Sequence, residues 1–154
     1  MSKKINIKWD EEFFIAGIIS AVRDYKLVFD INTFFQLDLK RIDDIEMIVE
    51  ESTTGAGLFE ESEKENRNEP SKHSAFQFYD ENSKKEYSVI SNLGSKGFLL
   101  ADQKKFDYFF LLRVESHKKK EFEKIVKSFA EIETVSAAVI LEIKNVQSKI
   151  NLFI

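Results

Sequence analysis

The chain predicts an α+β fold: a single mixed or mostly antiparallel β-sheet covered by helices, with a C-terminal βαβ unit. Three observations predict it. Short runs with strand character, bounded by turn-forming residues, recur through the middle of the sequence, at 74–80, 85–91 and 97–102. Longer segments, 13–37 and 122–132, space their apolar residues three and four apart, as a helix lying on a sheet does. The last third reads strand, helix, strand over residues 106–143, the order of a βαβ crossover. A chain of 154 residues falls within the size range of one domain, so residues 1–154 are read as a single unit.

The elements follow in order. Residues 3–9, KKINIKW, alternate Ile5, Ile7 and Trp9 with Lys4, Asn6 and Lys8, the pattern of a strand with one wet face. Asp10 is placed to cap a following helix, with Glu11 and Glu12 in its first turn. From Phe13 to Leu37 one stripe joins Phe14, Ile18, Ala21, Tyr25, Val28, Asn32 and Phe35, as a single helix or as two helices broken near Arg23 and Asp24. A strand through Ile45, Met47 and Val49 comes next. Residues 52–72 are polar and aperiodic and contain the only proline, which predicts a long mobile loop. The connections DENSK and NLGSK between the three middle strands are hairpin-like, and Gly94 and Gly97 are free to take positive φ.

Residues 106–114 place Phe106, Tyr108, Phe110, Leu112 and Val114 on one face, all apolar. The other face, Asp107, Phe109, Leu111 and Arg113, is apolar only in its middle, which predicts a strand inside the sheet with its ends in water. Phe122, Ile125, Val126, Phe129 and Ile132 then recur at helical spacing, and Val135, Ala137, Val139, Leu141 and Ile143 alternate again.

Composition narrows the functions. With 43% hydrophobic and 32% charged residues the chain has the balance of a soluble globular protein. The absence of cysteine excludes a disulfide framework, a thiolate nucleophile and a cysteine zinc site. A net charge of −4 argues against general nucleic-acid binding, which needs a basic footprint. No run is long and apolar enough for a membrane span, and the first residues do not read as a secretory leader, so a cytoplasmic location is expected.

The motifs carry little chemistry. His73 and His117 lack a second histidine or a carboxylate at ligand spacing, so neither predicts a metal site. Asp43, Asp44 and Glu46 lack the glycine and terminal glutamate of a calcium loop. GSKG at 94–97 is followed by a strand, which predicts a hairpin turn in place of a phosphate cradle. The lysines of HKKKEFEK, 117–124, begin a helix where its dipole disfavours cations, and Glu121 and Glu123 stand near enough to offset them. No catalytic residue, cofactor or metal is predicted.

Asp102 and Asp107 bracket QKKF, and Asp107 leads directly into the apolar strand. Both read as strand ends in water. The segment LADQKKFDYFFLL resembles the signature of the IPExxxVDY family, small bacterial proteins named for that motif. Leu100, Ala101 and Asp102 stand where Ile-Pro-Glu would be, and Phe106, Asp107 and Tyr108 where Val-Asp-Tyr would be. RDYKLVFDIN, 23–32, and the ending QSKINLFI are also similar to that family. The resemblance implies no activity, substrate or cofactor, but it implies that Asp107 and Tyr108 matter beyond marking a strand end. The physical expectation is that the Asp107 carboxylate accepts backbone N–H groups of the preceding turn.

The leading functional expectation is a non-catalytic cytosolic module that binds an unknown protein partner. It rests on the missing catalytic constellations, on aromatics suited to interface anchors, and on the apolar tail. Leu152, Phe153 and Ile154 either dock on their own domain or contribute to a binding surface. The alternative is a small-molecule-sensing regulatory domain, by analogy of the βαβ unit with ACT or ferredoxin-like folds. An enzyme ranks last.

Overall fold

In the computed structural model, residues 12–48, 69–114 and 118–142 are described. The strand expected at 3–9, the Asp10 cap, loop residues 52–68, His117 and the tail with Leu152, Phe153 and Ile154 lie outside them.

Among the described residues six strands form one antiparallel sheet: β1 (Glu12–Ile19), β2 (Lys40–Met47), β3 (Ser71–Asp80), β4 (Lys85–Ser91), β5 (Tyr108–Val114) and β6 (Ala137–Leu141). Their order is β2-β3-β4-β5-β1-β6. Among the described residues two helices, α1 (Asp24–Phe35) and α2 (Lys119–Ser128), accompany the sheet in an α+β architecture. The strand–helix–strand run of the last third is β5, α2 and β6. β5 and β6 do not neighbour each other, because each pairs antiparallel with β1, which lies between them.

Four expectations are corrected. The helix expected from Phe13 begins only at Asp24, and Glu12–Ile19 is an interior strand of the sheet, between β5 and β6. The run FFIAGII is apolar throughout because β1 is covered on both faces, and such a run carries no period that separates strand from helix. Within α1 the buried residues are Leu27, Val28 and Ile31, so Tyr25 stands off the core that its spacing suggested. The strand expected at 97–102 is a single bridge between Leu93 and Phe98, followed by a 3-10 turn at Ala101–Gln103. β3 also starts at Ser71, taking in the last two residues assigned to the loop.

Both helices cover the same face. Leu27, Val28 and Ile31 of α1 and Phe122 and Val126 of α2 join Ala16, Ile18, Val89, Tyr108, Phe110 and Leu112 in one cluster. Aromatic rings run through it: Phe110 stacks near Phe122, which stacks on Phe14, and Phe110 meets Phe129 edge-on at 5.1 Å. The opposite face is covered by chain without regular structure. Leu99, Leu100 and Phe106 from the β4–β5 connection lie on Ile15, Ala75, Ile90, Phe109 and Leu111. Phe106 thus packs on the face opposite Tyr108, because the turn before Asp107 breaks the alternation that would have aligned them.

Candidate functional site

Asp107 and Tyr108 stand where β5 begins, beside the end of β1, and both hold the short link from β1 to α1. The Asp107 carboxylate accepts the backbone N–H of Ser20 at 2.9 Å. That donor belongs to the β1–α1 link and not to the preceding turn, which corrects the expected partner while keeping the kind of bond. The Asp107 N–H donates to the Ile18 carbonyl at 2.8 Å, and its own carbonyl accepts from Asn92 at 2.9 Å. Tyr108 is buried and donates its hydroxyl to the Val22 carbonyl at 2.6 Å. Burial, then the negative charges of Asp24 and Asp107, push the phenol up to about 12, so at neutral pH it remains a donor.

A chain of polar contacts continues from Ser20. Its buried hydroxyl donates to the Thr134 carbonyl at 2.6 Å, and the Thr134 hydroxyl donates to Asp30 of α1 at 2.7 Å. Asp30 also pairs with Lys26 at 3.0 Å. The Thr134 hydroxyl, the largest influence, and Lys26 hold the Asp30 carboxyl below its ordinary value against the opposing effect of burial. The start of α1 is therefore fixed from two sides, by β5 and by the turn before β6. At its other end Asn32 accepts the Leu39 N–H at 2.9 Å and donates to the Leu39 carbonyl at 3.1 Å, which fixes the return into β2.

A helix held at both ends presents its outer face at a defined angle. On that face Tyr25 is 64% exposed and Phe29, one turn on, is 63% exposed, with the Lys26 ammonium 5.5 Å from the centre of the Phe29 ring.

The other sequence-derived positions do not gather with Asp107 and Tyr108. Asp102 sits exposed in the 3-10 turn. His73 is fully buried on the loop-covered face, with Nδ1 3.0 Å from the Ser91 carbonyl and Nε2 without a partner. Burial pulls its pKa below the ordinary value, while the backbone at Ser91 and Asn92 and the charge of Asp44 act weakly the other way. Gly94 passes over this ring so closely that an added Cβ would lie 2.6 Å from Nε2. Of the lysines that begin α2, Lys118 stands 4.0 Å from Glu121, whose nearer partner is Lys85 of β4. Among the described residues no three acids or histidines group as metal ligands, and no helix is long and apolar enough to cross a membrane.

Sequence reasoning missed Asn92. Fully buried, it donates to the carbonyls of Gln103 and Phe106 at 2.9 and 2.8 Å and accepts the Leu100 N–H at 3.0 Å, which organises the whole β4–β5 connection. The only signal was an asparagine directly after a strand, which reads equally as a turn residue.

A shallow groove of about 380 Å³ runs between α2 and β6, lined by Glu123, Val126, Lys127, Ala138, Val139 and Ile140. Comparison with protein-family models, with curated proteins and with solved structures gives no match.

Proposed function

We propose that this chain is a non-catalytic module of the cytoplasm that binds another protein through the outer face of α1. The observation that carries the reading is the pair Tyr25 and Phe29, exposed one turn apart on a helix anchored at both ends. Aromatic anchors presented rigidly lose little conformational entropy on binding and tend to dominate interface energetics. The polar groups of the clasp support it as well. The side chains of Asp107, Tyr108 and Ser20 each engage the chain's own backbone, an arrangement suited to positioning. Membership in the IPExxxVDY family belongs to this proposal, since a motif that aims a helix would be kept by a family whose members bind through it. Leu152, Phe153 and Ile154 are second contact candidates.

The test is affinity purification from the source organism with wild type, Tyr25→Ser/Phe29→Ser and a truncation lacking 148–154. A partner retained by wild type and lost from the α1 variant supports the reading. A partner retained equally by all three, or none in any, overturns it.

A second reading, small-molecule sensing, is favoured by the strand order β4-β5-β1-β6, all antiparallel, with α2 joining the two strands that flank β1. That order is the one in ferredoxin-like regulatory domains, and the analogy is of fold alone. A thermal-shift screen against amino acids and nucleotides tests it, because a ligand of the folded state raises the melting temperature.

A further inference from the structure

The two edges of the sheet are built differently. β2 carries Lys40, Arg41, Asp43, Asp44 and Glu46, and its register with β3 shifts between Ile42 and Ile45. Charge and irregularity of this kind keep an edge from pairing with another chain. β6, at the other edge, reads AAVIL, with no charge, proline or register shift. Among the described residues nothing pairs with its outer side. Val139 and Ile140 on it are 46% and 39% exposed.

We propose that two copies of this chain pair antiparallel through β6, about a two-fold axis at Val139, to join their sheets into one. The groove beside β6 argues for a second copy over an unrelated strand. Its apolar floor of Val126, Ala138 and Ile140 is flanked by Glu123 and Lys127, one turn apart on α2. A two-fold axis normal to the sheet runs the two α2 helices antiparallel on the same side. Glu123 then faces Lys127 of the second copy, and Lys127 faces its Glu123. The surface is self-complementary, as an isologous interface requires. This surface involves neither Tyr25 nor Phe29, so it and the α1 reading stand or fall separately.

The experiment measures the full chain's mass by sedimentation over a concentration series reaching about 100 µM, a range that covers weak specific dimers. Wild type is expected to be dimeric. Val139→Lys sets two lysines directly opposite each other, and each change counts twice across a two-fold axis. A tenfold loss per site therefore becomes roughly a 100-fold rise in the dissociation constant. Glu123→Lys and Lys127→Glu, on the helix surface, each weaken the dimer by about tenfold or more, and the two together restore it. Circular dichroism and melting temperature confirm that each variant folds. A wild type that stays monomeric, a dimer indifferent to Val139→Lys, or a double swap that fails to restore association overturns the proposal.

Discussion

The two faces of the sheet are closed by different means. On one, two helices bring a nearly continuous set of aromatic and aliphatic side chains onto β1, β4 and β5. On the other, fewer apolar residues are covered by irregular chain, and the fit depends on particular groups. Asn92 satisfies the backbone of the covering loop, Gly94 lets that loop cross His73, and Gly17 leaves room for the Phe106 ring, whose Cδ1 would lie 2.5 Å from an added Cβ. Apolar volume holds the first face. Polar satisfaction and close backbone approach hold the second. The helix-covered face should therefore respond to lost volume, and the loop-covered face to small polar or steric changes and to pH.

The largest effect belongs to the helix-covered face. Phe110 is fully buried and touches the rings of Tyr87, Phe122 and Phe129. Phe110→Ala should cost about 3–5 kcal/mol, the range of buried Phe truncations, read as a lower urea midpoint at unchanged slope. On the loop-covered face Asn92→Ala removes little volume. It strands the Leu100 N–H and the Phe106 carbonyl away from water and removes the bond to the Gln103 carbonyl, and should cost about 2–3 kcal/mol. A cost for Asn92→Ala below that of an exposed substitution such as Glu131→Ala would end the distinction between the faces.

The same difference explains what could be read in advance. β4 was legible because Tyr87 and Val89 alternate with Glu86 and Ser88, β5 because its short apolar run is bounded by Asp107 and Arg113, β6 because its apolar run is flanked by Ser136 and Glu142, and α2 because Phe122 and Val126 keep a helical period. β1 was not, because it is covered on both faces and its apolar run fits a helix as well as a strand. The loop that closes the second face was read as a strand because Phe98, Leu99 and Leu100 are consecutive and apolar. The burial of Leu99 and Leu100 comes from tertiary contact with Ile15, Ile90 and Phe109, which no local period announces. Asp107 was visible as a residue of interest, but its partner Ser20 lies 87 positions away, beyond the reach of any spacing argument.

A smaller effect comes from His73. Its Nδ1 donates to the Ser91 carbonyl, so the partnerless Nε2 is the nitrogen that takes up a proton, facing the Gly94 backbone. Burial, the largest cause, lowers its pKa from the ordinary 6.5. As pH falls through 6.5 the unfolded chain binds a proton that the folded chain still refuses. Stability is therefore greatest above that pH and declines below it, by at most ~1.4 kcal/mol per pH unit. Asp30 and Asp80, both lowered from 3.8, act only at more acid pH, which leaves a window between about 6.5 and 5 in which His73 dominates among these three groups. His73→Asn can keep the bond to Ser91 and should flatten the decline in urea denaturation across that window. Equal slopes in the two proteins would show that the buried imidazole is not its source.

The smallest expected effect tests the clasp. Tyr108→Phe removes the hydroxyl that reaches Val22 and leaves the ring in place, and should cost about 1–2 kcal/mol. Asp107→Ala frees the Ser20 N–H at a site open enough for water to replace the carboxylate, and should cost about 1 kcal/mol or less. Both bonds hold the same four-residue link, so the double variant should cost less than the two added together, with a coupling of about 0.5 kcal/mol or more. Strict additivity would mean that the two residues act independently and that α1 is aimed by Asn32 and Thr134 alone. If coupling is found, hydrogen exchange at the first turn of α1 should quicken in the double variant while amides in β4 and the middle of β5 keep their protection, because the clasp orders the helix's start and leaves the aromatic core beneath it intact.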